Sequence, residues 1–323
     1  MRELTLAICV YNTEKYIQET LESVMAQTMQ DFHLLIVNDC STDGSVAIIE
    51  KFFEENPRQV EIISFDENKG ICYARNFAER QTNTKYLMFL DADDVLYPCA
   101  IETMYNKITA DDDLMAVGCY LEYINEKSKK IGGGLFLGEK TKEGFIEKAK
   151  NSKLIFMQPT AIYDRELALS MGGYVIDGYP AGKPRYQDYC EDLDLWTRMS
   201  DLYTQGKAII VVPKVLCKYR KIGNGLSASS FNMILKMRYT KQNLLRRRSG
   251  EKELTFIEFR DSLSPQEIEK LKKDAKATNA LRNGVFYLKR KNILKAVWEI
   301  SKSIFYRPGY IFDKLKHNFF KKK

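Results

Sequence analysis

Short apolar runs alternate with helical patterns over the first hundred residues of the chain. The runs occupy residues 4–10, 32–37, 60–65 and 86–90. Runs of this kind are typical of strands that are buried on both faces of a sheet. Between the runs, apolar side chains recur at helical spacing after Asn12, after Asp43-Gly44 and over residues 70–80. The alternation predicts an α/β fold in which a mostly parallel sheet with right-handed crossovers is flanked by helices.

The pattern after residue 100 is less regular. Strands are predicted over 114–123 and 131–137, joined by a turn at 126–129, and over 208–212 and 215–219, on either side of Pro213. A helix is predicted over 191–203. Further helical patterns cover residues 231–248, 265–289 and 292–305. We therefore expect an α/β domain over 1–230 and a basic, helical C-terminal appendage over 231–323.

Charge is distributed unevenly between these two parts. The 323 residues carry a net charge of +7, from 50 Lys and Arg and 43 Asp and Glu. Residues 231–323 hold 24 basic and 9 acidic residues, a net charge of +15, whereas the rest of the chain carries −8. An acidic body suits cation binding or acid/base chemistry, and a basic appendage suits phosphates or anionic lipid.

Composition excludes several classes of protein. Apolar residues make up 45% and charged residues 29%, as in ordinary globular proteins. No apolar run approaches the roughly 20 residues of a membrane span, and the N-terminal residues do not form a secretory signal. The seven cysteines include no Cys-x-x-Cys pair, which predicts reduced thiols in a cytosol. The two histidines, His33 and His317, nearly exclude a multi-histidine metal site or a histidine-dependent triad.

Polar side chains follow three of the predicted strands. Asn12 follows the first, Asp39 the second, and Asp91, Asp93 and Asp94 the fourth. Ligands of an open α/β sheet bind beyond the carboxyl ends of its strands, although a lone Asp39 suits a turn equally well. Three carboxylates so close together repel one another unless a cation or a positively charged partner compensates them. Oxygen ligands of this kind suit Mg²⁺ or Mn²⁺.

Motifs of other phosphate sites are missing from the sequence. Neither the P-loop pattern nor the Gly-x-Gly-x-x-Gly pattern of dinucleotide-binding folds occurs. The run Gly132-Gly133-Gly134 is more typical of a flexible hairpin than of a phosphate-binding loop. The remaining possibility is an acidic, metal-assisted nucleotide site at the edge of a short parallel sheet.

Six motifs occur in a fixed order along the acidic part of the chain. They occupy residues 7–12, 27–45, 68–70, 74–76, 89–94 and 191–192. In this order and spacing the chain resembles the family 2 glycosyltransferases of bacterial polysaccharide and cell-surface glycan synthesis. That resemblance covers about 1–230. It implies the GT-A fold, a nucleotide-sugar donor and an inverting reaction.

The resemblance also implies roles for individual residues. The residues implied to bind the nucleotide are Val10, Tyr11, Asn12, Asp39, Arg75, Asp91 and Ala92. Asp93 would hold the Mn²⁺ or Mg²⁺ that bridges the diphosphate, and Asp192, beside Glu191, would be the catalytic base. Taken alone, Arg75 suits a helix surface. The pair Glu191-Asp192 equally suits the first turn of a helix, where acidic side chains favour the helix dipole.

The implied chemistry uses both acidic sets. A sugar hydroxyl is a weak nucleophile at neutral pH, and a positioned carboxylate can take its proton as the new bond forms. The leaving nucleoside diphosphate gains charge that a cation stabilises. Base and metal on opposite faces of the sugar would give inversion.

One segment departs from the family pattern. Members often carry Tyr-Arg-x-His, whereas this chain has Tyr219-Arg220-Lys221-Ile222, and Ile222 cannot bind metal. Lys221 or Arg220 is expected to compensate at the diphosphate. The composition of 223–225 fits either a loop that closes over the donor or a surface turn.

Two other functions stay open at this stage. A sugar-nucleotide pyrophosphorylase would also use Asp-held Mg²⁺, but no Gly-rich basic loop follows the first strand. A non-catalytic scaffold would bind membrane or RNA through 231–323, but no aromatic RNA-binding strand is present. We expect instead a hexosyl- or N-acetylhexosaminyltransferase in the cytoplasm that uses a UDP-sugar, acts on a glycan or lipid-linked glycan, and has no nucleic-acid partner. Its last helix would dock on the domain or attach to the anionic inner face of the membrane.

Overall fold

The computed structural model describes residues 3–222, 230–289 and 291–309. Within these ranges one sheet contains nine strands. The strands are β1 (Leu4–Val10), β2 (His33–Asn38), β3 (Glu61–Ser64), β4 (Tyr86–Asp91), β5 (Val95–Leu96), β6 (Leu114–Ile124), β7 (Lys130–Leu135), β8 (Ala161–Asp164) and β9 (Ala208–Arg220).

Helices pack around this sheet and extend beyond it. They are α1 (Ile17–Met25), α2 (Ser45–Glu55), α3 (Ile71–Gln81), α4 (Ala100–Thr109), α5 (Lys142–Lys150), α6 (Arg165–Ser170), α7 (Glu191–Met199), α8 (Ser230–Arg248), α9 (Phe256–Asp261), α10 (Pro265–Lys289) and α11 (Ile293–Tyr306). Two 3₁₀ helices cover Tyr186–Asp188 and Ser200–Gln205.

The strand order is β3-β2-β1-β4-β8-β6-β9-β5, and β7 pairs with β6. The four strands predicted from the apolar runs, β1 to β4, are mutually parallel. All seven residues of β1 are buried, as expected of a central strand covered on both faces. In the other half of the sheet β8 runs antiparallel to β4 and β6, and β9 runs parallel to β6. The predicted class, an α/β sheet flanked by helices, therefore holds for the described residues.

The structure corrects the prediction of two strands around Pro213. β9 is continuous, and its register against β6 moves from Cys119–Val212 to Tyr120–Val215. Proline has no backbone N–H to donate, so a bulge that takes the residue out of the hydrogen-bond ladder lets the strand continue.

Several other predictions differ in detail. The helix predicted over 191–203 ends at Met199 and continues as a 3₁₀ helix. The glycine run 132–134 lies inside β7, and the hairpin turn is made by residues 125–129, with Asn125 accepting hydrogen bonds from the backbone of Lys127 and Lys129. Short elements such as β5, β8 and α6 were not predicted.

The C-terminal region begins with helices that pack on the rest of the structure. A second apolar cluster joins Leu235, Tyr239 and Phe256 of α8 and α9 to Tyr179 and Tyr186 of the segment between α6 and α7. Arg247 Nε also donates to Asp201 Oδ2 at 2.6 Å. Further along, α10 packs against α11. The division of the chain at residue 230 stays a prediction. Within the ranges described above, none of the helices is both long and apolar enough to cross a bilayer.

Candidate active site

The carboxyl ends of β1, β2 and β4 lie level with one another. Val10 pairs with Asn38 across β1 and β2, and Cys9 pairs with Asp91 across β1 and β4. Residues that follow these strands therefore meet at a single edge. The structure brings together there the polar residues that the sequence places after the first, second and fourth strands.

Asp39 is buried at this edge and organises the loop before α3. Its carboxylate accepts hydrogen bonds from the backbone N–H groups of Lys69 (2.7 Å) and Gly70 (2.8 Å) and from Asn68 Nδ2 (2.8 Å). Burial raises the pKa of Asp39, and the two backbone donors oppose that shift. Arg185 Nη1 donates in turn to Asn68 Oδ1 at 2.5 Å. Asp39 thus shapes the edge of the site through loop 68–70.

Asp188 completes this loop and was not found from the sequence. It lies in the first 3₁₀ helix and accepts a hydrogen bond from the backbone N–H of Cys72 at 3.0 Å, at the N-terminus of α3. Gly70 has a φ of 95°, and a Cβ there would stand 2.4 Å from Asp188 Oδ2. Burial raises the pKa of Asp188 to about 6. In the sequence, only Gly70 before α3 indicates that another residue packs closely against the start of this helix.

The residues after β1 form the exposed side of the edge. Asn12 adopts a φ of 52°, and its Oδ1 accepts the backbone N–H of Thr42 at 2.8 Å. Val10 is buried, whereas the ring of Tyr11 is 47% exposed. Of these residues, Tyr11 therefore offers a surface to a ligand, and Asn12 fixes the neighbouring loop.

Arg75 joins the two acidic motifs, although they lie about a hundred residues apart in the sequence. Its Nη2 donates to Asp91 Oδ1 at 2.6 Å and its Nη1 to Glu191 Oε1 at 2.5 Å. The side chain is 3% exposed and lies over the ring of Phe89. The alternative of a helix-surface arginine is therefore wrong. The guanidinium places one positive charge between two carboxyl groups that would otherwise repel each other when ionised.

Glu191 and Asp192 begin α7 immediately after Cys190, which has a left-handed φ of 52°. Burial raises the pKa of both carboxyl groups, and Arg75 opposes the shift. Glu191 is bonded to Arg75, but no side chain in the described ranges donates a hydrogen bond to Asp192. Of the two neighbouring carboxyl groups, that of Glu191 is therefore held by an arginine, whereas that of Asp192 is not held by a side chain among the described residues.

The carboxylates after β4 lie in a crowded, negative environment. Burial, followed by the charge of Asp91, raises the pKa of Asp93 to about 7. Asp94 is fully buried, and burial also raises its pKa. One of its oxygens accepts the backbone N–H of Arg220 at 2.8 Å, while Oδ2 has no partner among the described residues. Ala92, between the acids, is buried.

Arg220, one of the two residues expected at the diphosphate, lies inside the protein, where its side chain donates hydrogen bonds to protein groups. Its side chain is fully buried, donates from Nε to the carbonyl oxygen of Asp93 at 2.7 Å, and donates from Nη2 to Glu19 Oε2 at 2.6 Å. Lys221 Nζ lies 4.6 Å from the ring centroids of both Tyr123 and Tyr219. The glycine-containing segment 223–225 lies outside the described residues.

The acidic edge fits a divalent cation that takes further ligands from a substrate. One buried oxygen of Asp94 has no partner among the described residues, and burial together with Asp91 raises the pKa of Asp93, so a bound cation would stabilise the ionised form of these carboxylates. No group of three acidic, cysteine or histidine side chains in the described part of the chain forms a ready-made metal cage. Mg²⁺ and Mn²⁺ sites that use one or two carboxylates together with substrate phosphates have this donor set.

Comparisons with known proteins identify the fold and the family. The model of glycosyl transferase family 2 matches residues 5–170, half of the chain. The teichoic acid poly(glycerol phosphate) polymerase of Staphylococcus epidermidis is 42% identical over 116 residues, which make up 36% of this chain and 16% of the polymerase. The chain therefore spans a small part of that relative's length.

Two solved structures resemble the whole chain. S. aureus TarS 1-349 in complex with UDP has a TM-score of 0.56 and 18% identity, over 95% of this chain and 92% of that one. The mannosyltransferase PcManGT from Pyrobaculum calidifontis, in complex with GDP-Man and Mn²⁺, has a TM-score of 0.55 and 18% identity, over 97% and 88%. The predicted GT-A fold is confirmed, as is the resemblance to family 2.

Proposed function

Because the chain belongs to glycosyl transferase family 2, we propose that it transfers a hexosyl or N-acetylhexosaminyl group from a UDP-sugar to a hydroxyl of a bacterial surface glycan or its lipid-linked precursor. The reaction would be a single, inverting displacement. The likeness to TarS, which was solved with UDP, supports a UDP-sugar, and the comparable likeness to PcManGT, which was solved with GDP-Man, supports a nucleotide-sugar donor in general. The polymerase of teichoic acid among the relatives supports the class of acceptor.

One observation carries the proposal, namely that Arg75 holds Asp91 of the sheet edge and Glu191 of α7 on one guanidinium. The contact brings the start of α7 to the acidic edge, so that a candidate base and a candidate metal ligand border the same site. Such a reaction needs these two functions together but on separate carboxylates.

We assign the base to Asp192, because the carboxylate of Glu191 is already committed to Arg75 at 2.5 Å. A base must be able to receive a proton, and a carboxylate with a raised pKa does so more readily near neutral pH. The pKa of Asp192 is raised by burial. Glu191 would position the start of α7.

The metal would be held by Asp93, with Asp91 beside it. When bound, Mn²⁺ or Mg²⁺ stabilises charge on a leaving diphosphate. Tyr11 would contact the base of the nucleotide through its exposed ring, next to Val10 and Asn12. Loop 68–70, shaped by Asp39, would form the facing wall, and Asp91-Ala92 would border the ribose.

The test compares two isosteric variants of neighbouring acids. Asp192→Asn is expected to lower kcat by about 10²–10⁴ and to leave the affinity for UDP unchanged, because it removes a proton acceptor without changing shape. Glu191→Gln keeps the Asp192 base and is expected to lower kcat much less. Full activity of Asp192→Asn, measured as UDP release from a UDP-sugar with acceptor, would refute the assignment.

The acceptor would bring the protein to a membrane. We propose that the basic region 231–323 meets the anionic inner face of the cell membrane, since each Lys or Arg near such a surface contributes about 1 kcal/mol. The lysine-rich end of this region, residues 314–323, lies outside the described residues.

A further inference from the structure

Helix α11 has one face that is covered by the protein. Ala296 and Ser303 are fully buried, and Ser303 Oγ donates to the carbonyl oxygen of Ala277 in α10 at 2.9 Å. Ile300 packs where α10 carries Gly284, so closely that a Cβ there would stand 2.7 Å from Ile300 Cγ1. This close packing fixes which side of α11 points away from α10.

The opposite face of α11 is apolar and exposed. Its large side chains are Ile293 (65% exposed), Leu294 (86%), Val297 (56%), Trp298 (66%), Ile304 (46%) and Phe305 (82%). We call these six residues the outer face of α11. At about 3.6 residues per turn they fall within an arc of about 140°. Exposed apolar groups clustered in this way mark an interaction surface more often than isolated ones do.

Basic side chains border the outer face. Lys295 and Lys302 lie next to it on the helix, and Lys291 precedes the helix. The one acidic residue of α11, Glu299, forms an ion pair with Lys302. Lysines beside an apolar face can keep their ammonium groups in water while their alkyl stems cover apolar surface.

We propose that the outer face of α11 inserts into the headgroup region of an anionic lipid bilayer, with the helix parallel to the membrane. Tryptophan, phenylalanine and leucine on one face with lysine at its border are typical of helices that lie in this region. A second copy of the chain would bring another region of net charge +15 and be repelled, whereas anionic lipid complements it. The inference deepens the proposed function and rests on it only for the lipid-linked acceptor.

The two tryptophans of the chain allow a direct test. Trp196 is fully buried in the catalytic domain, and Trp298 lies on the outer face. With vesicles of phosphatidylcholine and phosphatidylglycerol in equal parts, the emission of the full chain should shift to the blue and be quenched by brominated acyl chains. Trp298→Phe should remove both changes and leave the signal of Trp196.

A matched pair of leucine variants separates the outer face from apolar exposure in general. Leu294→Ala should lower the partition coefficient into these vesicles roughly tenfold, because the free energy of burying a leucine side chain corresponds to a factor of about ten or more. Leu245→Ala, at a leucine of α8 that is 47% exposed, should leave partitioning unchanged. Added salt should weaken the binding of both.

Three outcomes would overturn the inference. They are no spectral change with vesicles, equal binding to vesicles of phosphatidylcholine alone, or a blue shift that grows with protein concentration without lipid, which would identify a second copy as the partner. Titration with UDP in the absence of vesicles tests the proposed function separately, so its failure and that of membrane insertion can be distinguished.

Discussion

Replacing Arg75 with methionine keeps much of the side chain's volume and removes its charge. The guanidinium is 3% exposed and bonded to two carboxylates, at 2.5 Å to Glu191 and 2.6 Å to Asp91. At a pH where Glu191 is ionised, breaking a buried ion pair by removing one partner costs about 3–5 kcal/mol, because the remaining charge stays buried. The Glu191 side chain is 11% exposed, and that of Asp91 is 28% exposed. Most of the loss should therefore come from Glu191.

The loss of stability should depend on pH with a definite sign. Arg75 holds down the pKa of Glu191, which burial raises, so removing Arg75 raises this pKa further. Protonated Glu191 has no charge left to compensate. The destabilisation should be largest at alkaline pH, where Glu191 is ionised, and should shrink as the pH falls through its pKa.

The assay is denaturant unfolding followed by circular dichroism at pH 6 and pH 9.5, on either side of the pKa of Glu191, which burial raises to about 8. Arg80→Met is the matched control, since Arg80 lies on the exposed side of the same helix. Adding Glu191→Gln to Arg75→Met should recover stability, with a coupling energy of about 0.5–3 kcal/mol. The ion-pair role of Arg75 is wrong if Arg75→Met lowers the free energy of unfolding no more than Arg80→Met does. It is also wrong if the loss caused by Arg75→Met is the same at both pH values.

Two further predictions concern the acidic edge and the loop beside it. Because the folded-state pKa of Asp93 is raised to about 7, its contribution to stability is lost as the pH rises from about 4 to 7. In EDTA, Asp93→Asn should flatten the dependence of Tm on pH over this interval. The variant should also lose the rise in Tm that Mn²⁺ with UDP causes in the unmodified protein. An equal rise in the variant and the unmodified protein would contradict the metal assignment. Gly70→Ala combines a φ of 95° with a Cβ that meets Asp188, whereas Gly182→Ala has a φ of 85° and no atom within 4 Å. Both should lose about 1–3 kcal/mol for backbone strain. Gly70→Ala, whose ψ of 162° lies in a region that is essentially reserved for glycine, should lose more in denaturant unfolding and also weaken UDP binding.

The parallel half of the sheet could be predicted because each of its strands and helices shows its own hydrophobic pattern over a few consecutive residues. β1 is an unbroken apolar run, and the helices between the first four strands show their own periodicity. β8 has four residues, too few for a period, and its position depends on pairing with β4 and β6. The course of β9 through Pro213 is likewise decided by its partner strand.

The motifs located the candidate site, but not its contacts. Arg75 and Glu191 are 116 positions apart, as are Asp188 and Cys72, so neither pair leaves a mark in local spacing. Periodicity also fails to say which side of a helix is covered. Ala296 and Val297 belong to the same apolar stripe of α11, yet one is buried and the other is 56% exposed.

The position of Arg220 at the end of β9 has a consequence for the order of folding. Its guanidinium holds Glu19 of α1, 201 positions earlier, and the carbonyl oxygen of Asp93, 127 positions earlier. Contacts this far apart along a chain carry a large loop-closure cost and form late. On the ribosome, β1 to β4 can pair while the chain is still growing, but the acidic edge waits for Arg220 to be synthesised. A nascent chain stalled before residue 220 should therefore have the parallel part of the sheet, β1 to β4, and lack the Arg220 contacts that hold the acidic edge.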